Sequence, residues 1–252
     1  MLNATSILIT GAAGGIGTAL AKAYAAPGVY LFLGDLEAER LESLASQCRR
    51  LGAQTWGTLV DVTNREAMAA WINQSHQIRP LDLIIALAGI SRGTRSREET
   101  PEETRAVFKV NMDGMLNTVE PAIPLFRQRG GGQIALTSSL AGVRGFPVAP
   151  SYSATKAAIR VFGEGLRSRL MRENILVSVI NPGFIKSPMT DANPYPMPFL
   201  VSAEGAARKI KNMLAKGKAR ICFPWPIAAG AFFLTLVPSS WIDRLIRLKK
   251  TR

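Results

Sequence analysis

Short apolar runs alternate along the chain with longer segments in which apolar residues recur at helical spacing. The runs are brief and rich in β-branched residues, whereas the segments between them, such as residues 18–25 and 37–51, are long enough for helices. This alternation predicts an α/β fold, a doubly wound parallel sheet with helices on both faces. A length of 252 residues suits one such domain. The strand-like runs cover residues 6–10, 29–33, 54–59, 81–86, 133–137 and 175–180.

A glycine-rich turn joins the first predicted strand to the first predicted helix. Unpaired N–H groups and the helix dipole at such a helix start favour the pyrophosphate of a dinucleotide, and glycines allow its close approach. The order G-x-x-x-G-x-G differs from the usual G-x-G-x-x-G, and glycines also punctuate ordinary loops, so the turn alone is weak evidence. The candidate cofactor-binding residues here are Thr10, Gly11, Gly14, Gly15, Ile16 and Gly17.

An aspartate at the end of the second predicted strand bears on the choice of cofactor. Asp35 lies 18 positions after Gly17, where a carboxylate can accept hydrogen bonds from the adenosine ribose hydroxyls. It would repel a 2′-phosphate, so NAD is favoured, although NADP is not excluded. Leu36 follows without adding a cation, and Arg40 is expected on the solvated face of the next helix. Asp35 is also a candidate N-cap for that helix.

A tyrosine and a lysine share one face of a predicted helix. Tyr152 and Lys156 are spaced i, i+4, and Ser151 is a candidate N-cap just before them. A phenol has a pKa near ~10 in water, too high for a base at neutral pH. An adjacent ammonium group would lower that pKa, so Tyr152 could exchange a proton with an alcohol or a carbonyl oxygen. An isolated Y-x-x-x-K on an exposed helix would carry no such role.

These motifs together resemble the short-chain dehydrogenase/reductase family, in its common subfamily of about this length. The resemblance covers residues 4–190 well and the remainder only loosely. Its motifs are T-G-x-x-x-G-x-G at 10–17, Asp61-Val62, Asn111, S-x-x-G at 139–142, Y-x-x-x-K at 152–156 and Asn181-Pro182-Gly183.

The resemblance implies a Rossmann-type fold and NAD(P)(H)-dependent interconversion of a secondary alcohol and a ketone. It implies a catalytic tetrad of Asn111, Ser139, Tyr152 and Lys156, in which Asn111 bends its helix and holds a water for proton relay. It also implies that Asp61 and Val62 lie against the adenine and that Ile185 and Ser187 contact the nicotinamide, and it implies homodimers or homotetramers. The other cofactor contacts implied are Ala88, Gly89, Tyr152, Lys156, Pro182 and Gly183.

The chain departs from the family pattern at one place. Where the family has Asn-Asn-Ala-Gly after the fourth strand, residues 86–89 read Ala-Leu-Ala-Gly. The missing asparagines would tie the sheet together, so their loss bears on local stability and on the geometry around the cofactor ribose. A second ambiguity is Ser138 beside Ser139. The 13 positions from Ser139 to Tyr152 match the family spacing and favour Ser139.

The last part of the chain differs in charge and hydropathy. The net charge of the chain is +13, and residues 205–252 contribute +10 of it through eleven basic residues and one acid. No charged residue lies between Arg220 and Asp243. The prolines at 224, 226 and 238 leave residues 227–237 as uninterrupted helix, which is too short to cross a bilayer. We therefore divide the chain into a catalytic and dinucleotide-binding domain, residues 1–220, and an apolar, basic segment, residues 221–252.

Three roles stay open for residues 221–252: a substrate lid, a subunit contact, or a helix in a membrane interface. Trp225 and Trp241 bracket the apolar stretch and basic residues follow it, which slightly favours peripheral contact with anionic lipid. Nucleic acid is disfavoured because no stacking aromatics alternate with the basic residues. Cys48 and Cys222 are expected to be thiols, as in a cytoplasmic protein. His76 has no ligand cluster around it, so no metal is expected.

The expected substrate is lipophilic. Residues 143–150 and 187–201, which should flank the substrate, are rich in apolar side chains and prolines. They favour an acyl chain, terpenoid or steroid-like ring over a sugar. The competing interpretation is a non-catalytic cofactor-sensing or membrane-associated scaffold protein on the same fold. The complete tetrad favours the enzyme.

Overall fold

Seven parallel strands form one sheet in the order β3-β2-β1-β4-β5-β6-β7. The computed structural model describes residues 3–92, 97–187, 190, 197–238 and 240–241. The chain adds β2 and β3 on one side of β1 and then returns to its other side with β4. The predicted doubly wound parallel sheet is confirmed. The strands are β1 Ser6–Thr10, β2 Tyr30–Asp35, β3 Gln54–Leu59, β4 Leu83–Ala86, β5 Gly132–Thr137, β6 Ile175–Pro182 and β7 Arg220–Phe223.

Helices connect the strands and cover both faces of the sheet. A π-helical turn, Lys109–Asp113, interrupts the helical path between β4 and β5, and a short 3₁₀ turn, Leu140–Gly142, follows β5. The helices in the described residues are α1 Gly15–Tyr24, α2 Ala38–Arg50, α3 Arg65–Ile78, α4 Pro101–Phe108, α5 Gly114–Val119, α6 Ala122–Arg129, α7 Pro150–Leu170, α8 Ala203–Ala215 and α9 Trp225–Leu234.

Strand β1 lies inside the sheet between β2 and β4 and is completely buried. Its side chains alternate between the faces: Ile7 and Ile9 pack beneath α1, α2 and α8, whereas Leu8 packs on the other face with Phe32 and Trp71. Burial on both faces explains why β1 is an apolar run without polar alternation. The order in which strands are added reverses between β1 and β4. The carboxyl ends of these two strands form the crevice where such folds bind ligands.

The C-terminal part joins the sheet before it leaves it. Strand β7 pairs with β6 through Arg220 to Phe223, so the sheet continues past residue 220. Helix α9 begins at Trp225, two residues earlier than the prolines suggested, because Pro226 sits in the first turn, where a missing N–H costs no helical hydrogen bond. Among the described helices, none combines the length and apolar character needed to cross a bilayer.

Candidate active site

A cleft of about 380 Å³ opens at the carboxyl ends of β1, β2, β4, β5 and β6. It brings together residues that are far apart in sequence. Five of the sequence candidates do not line it: Thr10, Asn111, Ser139, Gly183 and Ile185 support it from behind or beside it. The candidates that line it are Gly11, Gly14, Gly15, Ile16, Gly17, Asp35, Leu36, Asp61, Val62, Ala88, Gly89, Tyr152, Lys156, Pro182 and Ser187.

The glycine turn has the shape that a pyrophosphate requires. Gly11 has φ +65°, and a β-carbon there would lie 2.8 Å from Ala88 Cα. A β-carbon at Gly17 would lie 2.7 Å from the carbonyl oxygen of Ala12. Helix α1 starts at Gly15, and its first hydrogen bond runs from Thr18 N to Gly14 O, so the preceding amides have no helical acceptor. Larger side chains would close the turn, and the glycines keep these amides open to a phosphate.

Thr10 supplies the link between strands that the missing asparagines would have made. Its hydroxyl accepts hydrogen bonds from the amides of Leu87 (3.1 Å) and Ala88 (3.2 Å). The carboxyl ends of β1 and β4 are therefore joined by a side chain from β1. This contact answers the concern about local stability, because the backbone donors after β4 have a buried acceptor.

Asp35 organises the edge of the cleft. Its carboxylate accepts hydrogen bonds from the amides of Ala13 (2.8 Å) and Leu36 (2.7 Å). The expectation that it caps the next helix is wrong, since the N-cap residue of α2 is Glu37 and its side chain makes no capping bond. Arg40, expected on the solvated face, is exposed and also lines the cleft. Its guanidinium therefore belongs to the cleft near Asp35, where no cation was expected from the sequence.

Asp61 and Val62 follow β3 and line the cleft together with Asp35. Asp61 accepts a hydrogen bond from Thr63 N at 2.8 Å, and Asn117 Nδ2 donates to the carbonyl of Val62 at 2.9 Å. The Val62 side chain is almost fully buried against Gly114, where a β-carbon would lie 2.6 Å from its Cγ2. Val62 is thus fixed by contacts with the start and the middle of α5, and Asp61 is held by the turn that follows it.

Asn111 lies in the π-helical turn and is completely buried. Its Nδ2 donates to Ile90 O and to Thr155 Oγ1, each at 3.0 Å, and its Oδ1 accepts from Ile90 N at 2.8 Å. The helix is therefore irregular at this residue, and the side chain ties the segment after β4 to α7. A β-carbon at Gly89 would lie 3.1 Å from Asn111 Oδ1 and 3.2 Å from Lys156 Nζ.

Lys156 lines the cleft and is almost completely buried. Its Nζ donates to the carbonyl oxygen of Thr137 at 2.8 Å and lies 5.5 Å from the centre of the Tyr152 ring. Burial removes the water that would stabilise the ammonium, so the pKa of Lys156 falls from its ordinary 10.5 to about 8. A proton on this amine is therefore exchangeable near physiological pH.

The two adjacent serines have different partners. Ser138 lines the cleft, and its hydroxyl donates to the carbonyl of Lys156 at 2.6 Å. Ser139 Oγ accepts from Ala141 N at 3.1 Å and donates to Pro182 O at 3.3 Å. Ser138 thus binds the backbone of α7, while Ser139 starts the 3₁₀ turn and reaches toward the end of β6.

The start of α7 differs from the sequence interpretation. The N-cap is Ala149, with Pro150 in the first turn, so Ser151 is not the cap. Ser151 N instead donates to the carboxylate of Glu99 at 3.3 Å. Sequence reasoning missed Glu99 because it lies 52 positions away in an irregular segment. A carboxylate at a helix N-terminus also interacts favourably with the helix dipole, and here it steadies the turn that carries Tyr152.

The segment after β6 closes over the glycine turn. Gly183 N donates to Phe223 O at 2.8 Å, and Ile185 is buried and bridges to Val201. A β-carbon on Gly15 would lie 2.8 Å from the β-carbon of Ser187. The predicted substrate loop continues from here, but residues 188–189 and 191–196 lie outside the described residues, as do the basic residues of 242–252.

Several residues of the cleft were not identified from the sequence. Most of them are next in sequence to a candidate that was identified, because the cleft is formed by strand ends and consecutive residues of a strand end contact it. Glu37 and Arg40 come from the start of α2. Their short separation from Asp35 in the sequence could have indicated that they line the cleft. The cleft residues that were missed are Ala13, Glu37, Arg40, Val60, Leu87, Ile90, Val110, Thr137 and Ser138.

Comparison with known proteins gives one consistent result. A family model for short chain dehydrogenase matches residues 5–195. An uncharacterized oxidoreductase of Myxococcus xanthus is 32% identical over 241 residues, 95% of each chain. A 3-oxoacyl-[acyl-carrier-protein] reductase of Thermotoga maritima is 31% identical over 188 residues, 74% of this chain and 76% of that one. The structure of a 3-oxoacyl-[acyl-carrier protein] reductase with bound NAD from Brucella melitensis matches with a TM-score of 0.75 and 27% identity, over 86% of this chain and 88% of that one. The protein therefore belongs to the short-chain dehydrogenase/reductase family and is an oxidoreductase of that type.

Proposed function

We propose that the protein interconverts a secondary alcohol and a ketone with NAD(H), using Tyr152 as the acid and base. One observation carries this proposal: Tyr152 and the buried Lys156 lie next to each other in the cleft, and the glycine turn lines the same cleft. The open amides of α1 suit a pyrophosphate, and the long cleft from Asp35 to Tyr152 suits the rest of a dinucleotide. The Brucella reductase has NAD bound in its structure, which supports the same cofactor for this protein.

The chain's own residues would manage the proton. A bound reduced nicotinamide supplies the hydride that the carbonyl carbon receives. Tyr152 gives its phenolic proton to the carbonyl oxygen, and in the oxidative direction it takes the proton from the alcohol. Lys156 as an ammonium lowers the pKa of the phenol by its charge. Ser139, which adjoins the cleft, would turn its hydroxyl from Pro182 O to hydrogen-bond the substrate oxygen. The space beside Gly89, between Asn111 Oδ1 and Lys156 Nζ, would hold the water of a proton relay.

The substrate that we propose is a lipophilic ketone with an acyl chain. Phe146, Phe199 and Leu200 are exposed on the segments that follow Ser139 and Ser187. Apolar side chains in these positions favour a hydrocarbon chain over a polyol, because burial of each methylene group contributes about 0.8 kcal/mol. Two of the relatives are 3-oxoacyl-[acyl-carrier-protein] reductases, which is consistent with a 3-oxoacyl group here.

The choice of cofactor can be tested by titrating NADH and NADPH side by side. We expect NADH to bind at least about ten-fold more tightly, a difference of about 1.4 kcal/mol, because Asp35 would meet the 2′-phosphate of NADPH. In Asp35→Ser the preference should narrow or reverse, since Arg40 would then be unopposed. Asp35→Ser/Arg40→Gln is the matched control and should lose the gain in NADPH affinity. Tighter binding of NADPH by the unmodified protein would contradict the assignment of NAD.

We further propose a homodimer or homotetramer in the cytoplasm. Phe108 on α4 and Val161 and Phe162 on α7 are exposed apolar side chains on helices that contact each other. A shared apolar face of this kind is suited to contact with a second copy of the chain. Residues 221–252 would add peripheral contact with the inner face of a membrane, because Trp225, Phe233, Leu234, Leu236 and Trp241 are exposed and five of the residues 242–252 are basic in the sequence.

A further inference from the structure

Large exposed apolar side chains are concentrated around one edge of the sheet. Within the described residues, sixteen large apolar side chains are exposed, and eight of them belong to three segments near the carboxyl ends of β5, β6 and β7. Leu236 is 79% exposed and Trp225 is 74% exposed, so the surrounding protein covers little of either. We refer to these eight as the docking face: Phe146, Phe199, Leu200, Trp225, Phe233, Leu234, Leu236 and Trp241.

Helix α9 is the main element of the docking face and is apolar on every side. Its ten residues include no polar side chain, and of these only Ala228 is buried. An ordinary surface helix turns a polar side to water, whereas α9 exposes aromatic and aliphatic groups. Tryptophans at 225 and 241 flank the exposed stretch, and tryptophan is enriched where membranes meet water. A short helix of this composition suits a membrane interface better than water.

Both ends of α9 are fixed to the segments that carry the proposed catalytic groups. The amide of Gly183 donates to Phe223 O, two residues before α9 begins. At the other end, Arg144 Nη1 donates to Leu234 O at 2.8 Å and to Val237 O at 3.3 Å. Arg144 lies five residues after Ser139. The helix therefore lies between the turn after Pro182 and the segment after β5.

The rest of the docking face adjoins residues that line the cleft. Phe146 N donates to Ser153 Oγ at 3.2 Å, one residue from Tyr152. Lys186 N donates to Val201 O at 2.9 Å, which holds the neighbouring Phe199 and Leu200 next to Ser187. Tyr152 and Ser187 both line the cleft. The exposed apolar groups are thus attached within a few residues of the reacting end of the site.

Charge selects an anionic bilayer over a second copy of the chain as the occupant of the docking face. Residues 242–252, whose structure lies outside the described part, carry five basic residues and one acid. Lys209 lies 5.5 Å from the ring centre of Phe223, just before α9. A contact between two copies would pair surfaces whose following sequence carries the same positive charge, whereas an anionic surface attracts that charge. The exposed apolar groups and the positive charge are complementary to one partner.

We propose that the docking face inserts into an anionic lipid bilayer and that a ketone dissolved in the bilayer reaches Tyr152 from the lipid without passing through water. This inference rests on the proposed function for its chemistry and adds the source of the substrate. The reaction would act on membrane-resident acyl-chain ketones because the apolar groups around the site lie in the same layer as the chains.

The membrane contact is tested first, without any substrate. The full chain should sediment with vesicles of phosphatidylcholine and phosphatidylserine and should bind vesicles of phosphatidylcholine alone at least about ten-fold more weakly. Phe233→Asp/Leu236→Asp should lose this binding. Leu51→Asp/Met171→Asp is the matched control, since it places two carboxylates on exposed apolar positions before β3 and β6, at the opposite edge of the sheet, and it should sediment like the unmodified protein. Equal binding by all three proteins, or no binding by any, would overturn the proposal.

Substrate access is tested with two esters. NADH oxidation is followed with ethyl 3-oxohexadecanoate carried in the anionic vesicles and with ethyl acetoacetate in water. Phe233→Asp/Leu236→Asp should lose at least about ten-fold in rate on the vesicle-borne ester and less than two-fold on the soluble one. An equal loss on both esters would make α9 part of the pocket or fold and would overturn membrane access. An unchanged rate on the vesicle-borne ester would overturn it as well.

Two further readouts separate the alternatives. Binding of NADH and of vesicles by a chain that turns over neither ester would contradict the proposed ketone chemistry and with it substrate access, while the measured membrane contact would be retained. A change in molar mass of Phe233→Asp/Leu236→Asp in solution, without lipid, would identify a second copy as the occupant and overturn the bilayer. An unchanged molar mass together with lost sedimentation supports the proposal.

Discussion

Replacing Tyr152 by Phe is expected to lower turnover of a ketone by about 10³-fold, while the affinity for NADH changes less than two-fold. The change removes one oxygen atom, so the cleft keeps its shape and loses only the group assigned to the proton. General acid–base catalysis by a positioned side chain contributes about 10² to 10⁴-fold, which sets the size of the effect. The measurement is single-turnover oxidation of NADH beside a titration of NADH fluorescence.

Tyr30→Phe is the matched control for this experiment. Tyr30 lies in β2 and stacks on Trp56 at 6.1 Å between ring centres, away from the cleft. Loss of its hydroxyl should leave both turnover and NADH binding unchanged. Full activity of Tyr152→Phe would remove Tyr152 from the acid/base role and would assign the proton to another group, whereas NADH binding without any turnover by the unmodified protein would favour the alternative of a cofactor-sensing protein. A parallel loss of NADH affinity would indicate instead that the hydroxyl holds the cofactor.

Most of the sheet could be predicted because its inner strands are buried on both faces. A central parallel strand such as β1 must be apolar throughout, and that pattern is visible without knowledge of its neighbours. Element ends were less certain. The start of α7 depends on Glu99, a residue distant in sequence, and helix periodicity carries no information about such a contact. Pro226 likewise suggests a break but is accommodated in the first turn of α9.

The candidate site was predictable where the chemistry requires a particular residue at a particular spacing. Tyr152 and Lys156 needed only the helical repeat to place them together. The role of Thr10 was not visible, because one hydroxyl accepting from Leu87 and Ala88 leaves no spacing rule in the sequence. The cleft position of Arg40 depends on where α2 begins, which the sequence placed one residue too early. The residues with a proposed chemical role can therefore be identified from the sequence, whereas the residues that position them depend on tertiary contacts.

The free energy of unfolding should respond to pH through Lys156, in the protein without cofactor. The folded-state pKa of this amine is about 8, lowered from 10.5 by burial. Between these two values the unfolded chain binds a proton that the folded chain does not, so stability rises with pH across this window. Below about pH 8 the amine is protonated in both states and the gain is absent. A shift of this size corresponds to about 3 kcal/mol between pH 8 and pH 10.5.

Lys156→Met isolates this effect, because other titrating groups are shared with the unmodified protein. We expect the difference in unfolding free energy, unmodified minus variant, to be constant from pH 6 to 7.5 and to rise toward pH 10.5. Lys218→Met, which removes an exposed lysine, should show no such rise. A flat difference would mean that Lys156 keeps its ordinary pKa despite burial. A falling difference would mean that a buried negative group stabilises the ammonium, and the phenol of Tyr152 would then be a stronger candidate for an ionised group in the resting site.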